Sequence, residues 1–108
     1  MCERLYAIEM QTPMGKKQGT IRVITEQETM NGYLTVLDHS TPFTGSIDGE
    51  GHCKFTGSIV TLMRTIDYEA SGKMEDDSIS LDIHGERNVF QVVGKRSHQT
   101  EAEQKGRL

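Results

Sequence analysis

Apolar and polar residues alternate along most of the chain, and no segment carries the 3.6-residue apolar period of an amphipathic helix. The clearest case is Ile79, Leu81 and Ile83, which alternate with the polar residues Ser80 and Asp82. A period of two is typical of a β-strand with one buried face, because successive side chains point to opposite sides. The pattern predicts eight strands, over residues 4–12, 19–25, 32–38, 43–47, 53–59, 62–70, 79–83 and 89–95.

The segments between these strands are short and rich in turn residues, which favours antiparallel neighbours over crossover connections. The strongest hairpin signal is D-G-E-G at 48–51, since glycine tolerates the positive φ of tight turns. The pentapeptide F-T-G-S-I occurs on both sides of this turn, at 43–47 and at 55–59. We therefore predict one hairpin whose arms carry the two copies, with Phe43 and Phe55 on the core side.

Glycines recur within the predicted strands, where they weaken the strand unless the fold needs them. In a small closed barrel, glycine allows sharp bending and leaves room for a large side chain opposite, and closure removes the exposed edges of a flat sheet. The prediction is an all-β fold: a single antiparallel meander of about eight strands that closes into a small barrel. The barrel domain is expected over residues 1–96, and the polar residues 97–108 are expected to form a mobile tail or a short helix.

The alternation also predicts which large side chains face the interior. They are Tyr6, Ile8, Met10, Ile21, Val23, Leu34, Val36, Phe43, Ile47, Phe55, Ile59, Leu62, Ile66, Tyr68, Ile79, Leu81, Ile83, Phe90 and Val92. Eight strands enclose an interior only just wide enough for side chains or for one small ligand. This set is large enough to fill such an interior, whereas Gly45 and Gly57 in the same rows would open space within it.

Charge and composition exclude several classes of function. The 108-residue chain has a net charge of -4 and a pI near 5.5, so it lacks the cationic surface of a general nucleic-acid binder. No apolar run approaches the ~20 residues of a membrane-spanning helix, and residues 1–5 lack the apolar stretch of a signal peptide. With Cys2 and Cys53 expected to be reduced, we expect a cytoplasmic protein that binds neither nucleic acid nor membranes.

The first predicted hairpin resembles that of a family of small bacterial domains. The residues that carry the resemblance are I-E-M-Q-T-P-M-G at 8–15 followed by G-T-I at 19–21, with a later strand-turn-strand over 43–55. The family has no established activity, and the resemblance covers roughly residues 5–96. It implies an antiparallel meander barrel of the calycin sort, loosely similar to avidins and lipocalins, and it supplies no catalytic residues. The chain has no Trp, whereas the biotin pockets of avidins are walled with Trp.

The sequence contains no constellation that we recognise as catalytic. There is no phosphate-binding glycine loop, no G-x-S-x-G elbow and no C-x-x-C pair. The histidines are not spaced as H-x-H or H-x-x-x-H pairs; they are His39, His52, His84 and His98. We therefore expect neither an enzyme nor a metal site, and no cofactor.

Arg64 breaks the polar-apolar pattern. Counted by twos, it shares a face with Leu62, Ile66 and Tyr68, which would take its charge into the barrel. A buried guanidinium requires a partner, and its planar fork suits a carboxylate. Two other interpretations remain open: a bulge near 60–61 turns Arg64 outward and Met63 inward, or Arg64 lies at the barrel mouth beside an internal acid.

These observations favour a module that binds a small apolar or amphipathic ligand inside the barrel. The specific hypothesis is a small amphipathic acid, with its carboxylate at Arg64 beside Tyr68 and its tail against the phenylalanines Phe43, Phe55 and Phe90. The alternative is a structural or protein-interaction domain whose barrel is filled by its own side chains. Interior volume separates the two hypotheses.

Overall fold

The computed structural model describes residues 2–12, 15–61, 63–86 and 88–97. Its eight strands are β1 (Cys2–Thr12), β2 (Gly15–Glu26), β3 (Thr29–Val36), β4 (His39–Ile47), β5 (His52–Val60), β6 (Thr65–Met74), β7 (Ser78–His84) and β8 (Val89–Arg96). Each strand pairs antiparallel with its neighbours in sequence, and β8 pairs with β1 to close the barrel. The predicted fold, an all-β antiparallel meander barrel of eight strands, is confirmed.

The strands are longer than predicted because two turns are tighter than their sequences indicate. β3 begins at Thr29 rather than at residue 32, and the turn before it contains Gln27 at a φ of 56°. The turn between β3 and β4 consists of Leu37 and Asp38, both with positive φ. Such two-residue hairpin turns usually contain Gly or Asn, and neither occurs in these two turns.

The strands are strongly staggered around the barrel. The stagger is measured by following Cα partners once around the barrel. A path that begins at Met74 on β6 and crosses each strand in turn returns close to Arg64, just before β6 and about ten residues earlier in the chain. A stagger of this size tilts the strands steeply and encloses an interior that side chains can fill.

Most of the predicted inward-facing residues form the buried core. The core consists of Tyr6, Ile8, Met10, Ile21, Val23, Met30, Leu34, Val36, Phe43, Cys53, Phe55, Ile59, Tyr68, Ala70, Met74, Ile79, Leu81, Ile83, Phe90 and Val92. Ile47 and Ile66 are only partly buried, and Leu62 lies outside the described residues. Met30 and Met74 were not predicted, because both lie where the sequence indicated turns or the end of a strand.

The two copies of F-T-G-S-I form opposite arms of the β4–β5 hairpin, as predicted. Phe43 pairs with Gly57, and Gly45 pairs with Phe55, so each phenylalanine lies across from the glycine of the other copy. Both rings are buried, and their centroids are 4.3 Å apart. A Cβ on Gly45 would stand 1.9 Å from the Lys54 carbonyl oxygen, so the backbones approach too closely here for any other residue.

The chain continues past β8 for one described residue. The Ser97 backbone N–H donates to the Leu5 carbonyl at 2.8 Å, which extends the contact between the β1 and β8 sides. The rest of the predicted tail, residues 98–108, lies outside the described residues. No helix that is long and apolar enough to cross a membrane is found in the described part of the chain.

The buried position of Phe55 predicts a large loss of stability when its ring is removed. We expect Phe55→Ala to lower the free energy of unfolding by about 3–5 kcal/mol, the range for truncation of a buried Phe. Urea denaturation followed by circular dichroism measures this change. A cost near zero would place Phe55 outside the core and contradict the register of the hairpin.

Gly45 and Gly49 provide a matched pair that tests the close approach of the strands. We expect Gly45→Ala to cost at least about 2 kcal/mol, because the new Cβ meets backbone that cannot move aside cheaply. Gly49→Ala, in the turn of the same hairpin, should leave stability nearly unchanged, since no atom lies within 4 Å of its added Cβ. Equal effects of the two substitutions on the urea midpoint would contradict this account.

Candidate functional site

The two ends of the barrel are built differently. One end, here called the closed end, carries the β2–β3, β4–β5 and β6–β7 connections. Two backbone hydrogen bonds join these connections to their neighbours: Met74 N–H donates to the Gly51 carbonyl at 2.8 Å, and Ile47 N–H donates to the Glu28 carbonyl at 3.0 Å. The closed end is therefore tied together by its own main chain.

Side chains from β1 and β8 also bind the β6–β7 connection at the closed end. The Tyr6 hydroxyl donates to the Glu75 carbonyl at 2.7 Å, and burial raises the pKa of Tyr6. Arg4 Nη2 lies 2.9 Å from Asp76 Oδ1, and Arg96 Nη1 donates to the Asp76 carbonyl at 3.2 Å. Sequence reasoning missed Arg4, although it shares the inward parity of Tyr6 on the same strand.

The opposite end, here called the open end, carries the β1–β2, β3–β4, β5–β6 and β7–β8 turns. The β5–β6 and β7–β8 turns bond mainly within themselves: Thr61 N–H donates to the Arg64 carbonyl, and Gly85 N–H donates to the Asn88 carbonyl. Among the described residues, one ion pair joins these two turns, between Arg64 Nη1 and Glu86 Oε1 at 2.9 Å. Both side chains of that pair are more than half exposed.

The prediction that Arg64 points into the barrel is wrong. β5 ends at Val60, and the Thr61 hydroxyl accepts a hydrogen bond from Arg64 N–H, so Arg64 belongs to a turn rather than to β6. The alternation of inward-facing and outward-facing side chains along β6, which includes Tyr68, does not continue into that turn. The bulge interpretation also fails, since Met63 is 90% exposed instead of inward. The remaining interpretation, which placed Arg64 at the barrel mouth beside an internal acid, is correct about the position of Arg64. The acid that pairs with it is Glu86, which is exposed on the surface and not internal.

Three of the other predicted ligand-binding residues meet inside the barrel. The Phe43 and Phe55 rings are tilted at 35° in direct contact, and Tyr68 stands edge-on to Phe55 with ring centroids 6.1 Å apart. Phe90 is buried on β8, where its Cα partner is Ile83. The structure therefore brings Phe43, Phe55 and Tyr68 into one cluster, with Phe90 on another part of the wall.

The Tyr68 hydroxyl is buried without a hydrogen-bond partner among the described residues. It occupies the space opposite Gly57, because a Cβ on that glycine would stand 2.7 Å from the Tyr68 oxygen. Burial raises the pKa of Tyr68 well above its usual value, so the hydroxyl stays protonated and remains a hydrogen-bond donor. An unsatisfied buried hydroxyl costs about 1–3 kcal/mol, and this cost requires an explanation.

Several cavities bounded by the described residues lie on the outer face of the barrel. One of them has a volume of about 800 Å³ and is lined by outward-facing side chains that include Ser46, Lys54, Ser71 and Asp82. Gly45 and Gly57 do not open the interior, because Phe55 and Tyr68 cover them.

The polar residues of the β4–β5 turn are accounted for by the turn itself. Asp48 Oδ1 accepts hydrogen bonds from the backbone N–H groups of Glu50 and His52, which lowers the pKa of Asp48.

Cys53, at the start of β5, is buried, and burial raises the pKa of its thiol to about 11. It is a protonated core residue and not a reactive thiolate.

No protein-family model matches the sequence, and the search of curated proteins found no significant match. Among solved structures, the barrel is similar to a redesigned β barrel, mFAP1, whose structure was determined bound to DFHBI. The TM-score is 0.59 at 11% sequence identity, and the alignment covers 88% of this chain and 93% of that chain. At this identity the similarity establishes the fold alone.

Tyr68 and Tyr6 allow a paired test of the unpartnered hydroxyl. We expect Tyr68→Phe to raise the free energy of unfolding by about 1 kcal/mol, since it removes an unsatisfied buried group and keeps the ring. We expect Tyr6→Phe to lower it by about 1 kcal/mol, because that hydroxyl has a partner. Urea denaturation of both variants measures the two signs. A loss of stability in Tyr68→Phe would mean that its hydroxyl has a partner.

Proposed function

We propose that the protein binds a small apolar or amphipathic molecule through the open end of the barrel. The observation that carries the proposal is the Tyr68 hydroxyl, a protonated donor that is buried among apolar side chains without a partner in the described part of the chain. A ligand with a hydrogen-bond acceptor would satisfy this hydroxyl. The surrounding rings of Phe43 and Phe55 would contact the apolar part of the ligand.

The open end supplies the route of entry. Among its described residues, no backbone hydrogen bond joins one turn to another as at the closed end. Ile66, two residues before Tyr68 on the same face of β6, is only partly buried. Because the Phe43 and Phe55 rings pack against Tyr68 inside the barrel, a ligand must displace side chains in order to reach the hydroxyl. Binding therefore includes a local opening of the turns around Arg64 and Glu86.

The similar redesigned barrel supports the proposal at the level of architecture. That protein was solved bound to DFHBI, so a β barrel of similar fold and comparable length can hold a small molecule.

A second candidate is a structural or protein-interaction domain with a filled barrel. The specific observation in its favour is the direct contact between the Phe43 and Phe55 rings, together with the Tyr68 ring that fills the space opposite Gly57. Close packing of this kind stabilises a barrel without any ligand.

Ligand binding is tested in two ways on the wild-type chain. Native mass spectrometry after purification from the source cells detects a small molecule that co-purifies, and titration with the neutral dye Nile red detects an apolar site by the rise in its emission. We expect dye binding that Tyr68→Phe weakens about tenfold, because the hydrogen bond to the dye carbonyl is lost. Tyr33→Phe, which removes an exposed tyrosine hydroxyl on β3, should bind the dye as the wild type does.

The two candidate functions give different results in this experiment. If the wild type carries no small molecule and does not bind the dye, the ligand-binding proposal fails and the filled barrel is the better account. If Tyr68→Phe and the wild type bind the dye equally, the site is not at Tyr68.

A further inference from the structure

We infer that the open end selects an amphipathic acid, and that Lys17 on β2 pairs with its carboxylate. This inference rests on the proposed function, because it concerns the ligand of the same site. In this inference the cation that binds the carboxylate is Lys17 instead of Arg64. The structure places Arg64 in an exposed turn, whereas Lys17 continues an inward-facing row of the barrel wall.

The position of Lys17 follows from the register of β2. Ile21 and Val23 are buried on the inner face, and Lys17 has the same parity further along the strand toward the open end. Its Cα partner is Met10, which is 97% buried, and Lys17 itself is partly buried. The alkyl stem of the lysine thus lies in the inner row, and its ammonium group can reach the water at the rim.

The surroundings of Lys17 leave its charge available for a ligand. Within the described ranges, Lys17 forms no ion pair, and no charged residue is buried in the barrel. Lys17 also lines a small groove of about 240 Å³ together with outward-facing residues of β2 and β3, which places it at the rim between the inner row and the outer face. Asp38, at the tip of the β3–β4 turn, lines the same groove but forms no ion pair with Lys17. The adjacent Lys16 points outward and lies 3.8 Å from Glu9 on the outer face.

The arrangement suits a molecule with one charged end. β2 and β6 are four strands apart in a closed barrel of eight, so Lys17 and Tyr68 stand on opposite walls. The apolar side chains Met10 and Phe90 belong to the walls between them. A carboxylate at the rim beside Lys17 would remain partly hydrated, so the ion is not buried without water. The mainly apolar body would enter toward Tyr68, and a second acceptor on that body, separate from the carboxylate, would meet the Tyr68 hydroxyl.

Lys16 and Lys17 provide a matched pair for the test, since they are adjacent on one strand and face opposite sides. The probes are decanoate and decanol, which share a chain and differ in charge. Calorimetric titration measures the affinity of each probe for the wild type, Lys17→Met, Lys17→Arg and Lys16→Met. We expect decanoate to bind Lys17→Met about fivefold or more weakly than the wild type, with Lys16→Met unchanged and Lys17→Arg largely restored.

Decanol separates failure of this inference from failure of the proposed function. We expect it to bind the wild type and all three variants with similar affinity. If decanol and decanoate bind the wild type alike, or if Lys16→Met weakens decanoate as much as Lys17→Met does, the role of Lys17 is refuted while the ligand site stands. If neither probe binds the wild type, both proposals are overturned.

Discussion

The architecture depends on strands that approach one another so closely that only glycine fits at certain inner positions. At Gly45 the neighbouring carbonyl of Lys54 occupies the space of a Cβ, and the Cα and Cβ of Phe55 lie against the same space. A tightly staggered barrel of eight strands has little interior volume, so large rings must face small residues. The repeated pentapeptide meets this requirement twice in one hairpin, because each copy supplies both the ring and the glycine.

The same constraint explains how much of the fold the sequence could predict. The alternation of inner and outer residues is present in every strand, because the inner rows are filled with apolar or very small residues. The hairpin that carries Phe43 and Phe55 was predicted from its repeated pentapeptide. The turns were harder to locate, because Gln27, Leu37 and Asp38 adopt the left-handed conformation without glycine. Long paired strands on both sides hold these residues in place, and that support depends on tertiary pairing that local turn chemistry does not reveal.

Parity predicted which candidate residues face inward wherever the strand was continuous, and it failed where the strand was interrupted. Tyr68 and Phe55 face inward as counted, while Arg64 lies across a turn from β6 and pairs with an exposed acid from another turn. Lys17 escaped notice because the strand that carries it was predicted to begin at residue 19. The pairing of two turns at one end of the barrel follows from closure of the sheet, which no local pattern contains.

The two inner tyrosines differ in whether the hydroxyl group has a hydrogen-bond partner. Tyr6 lies at the closed end, where its hydroxyl bonds to Glu75 and fixes the connection below it. Tyr68 lies toward the open end, and its hydroxyl adds nothing to packing that a phenylalanine ring would not supply. Because an unsatisfied donor opposes folding, its presence requires an advantage outside the folded core. The ligand binding that we propose would supply one, since the donor lies toward the end of the barrel where no backbone hydrogen bond joins one turn to another among the described residues.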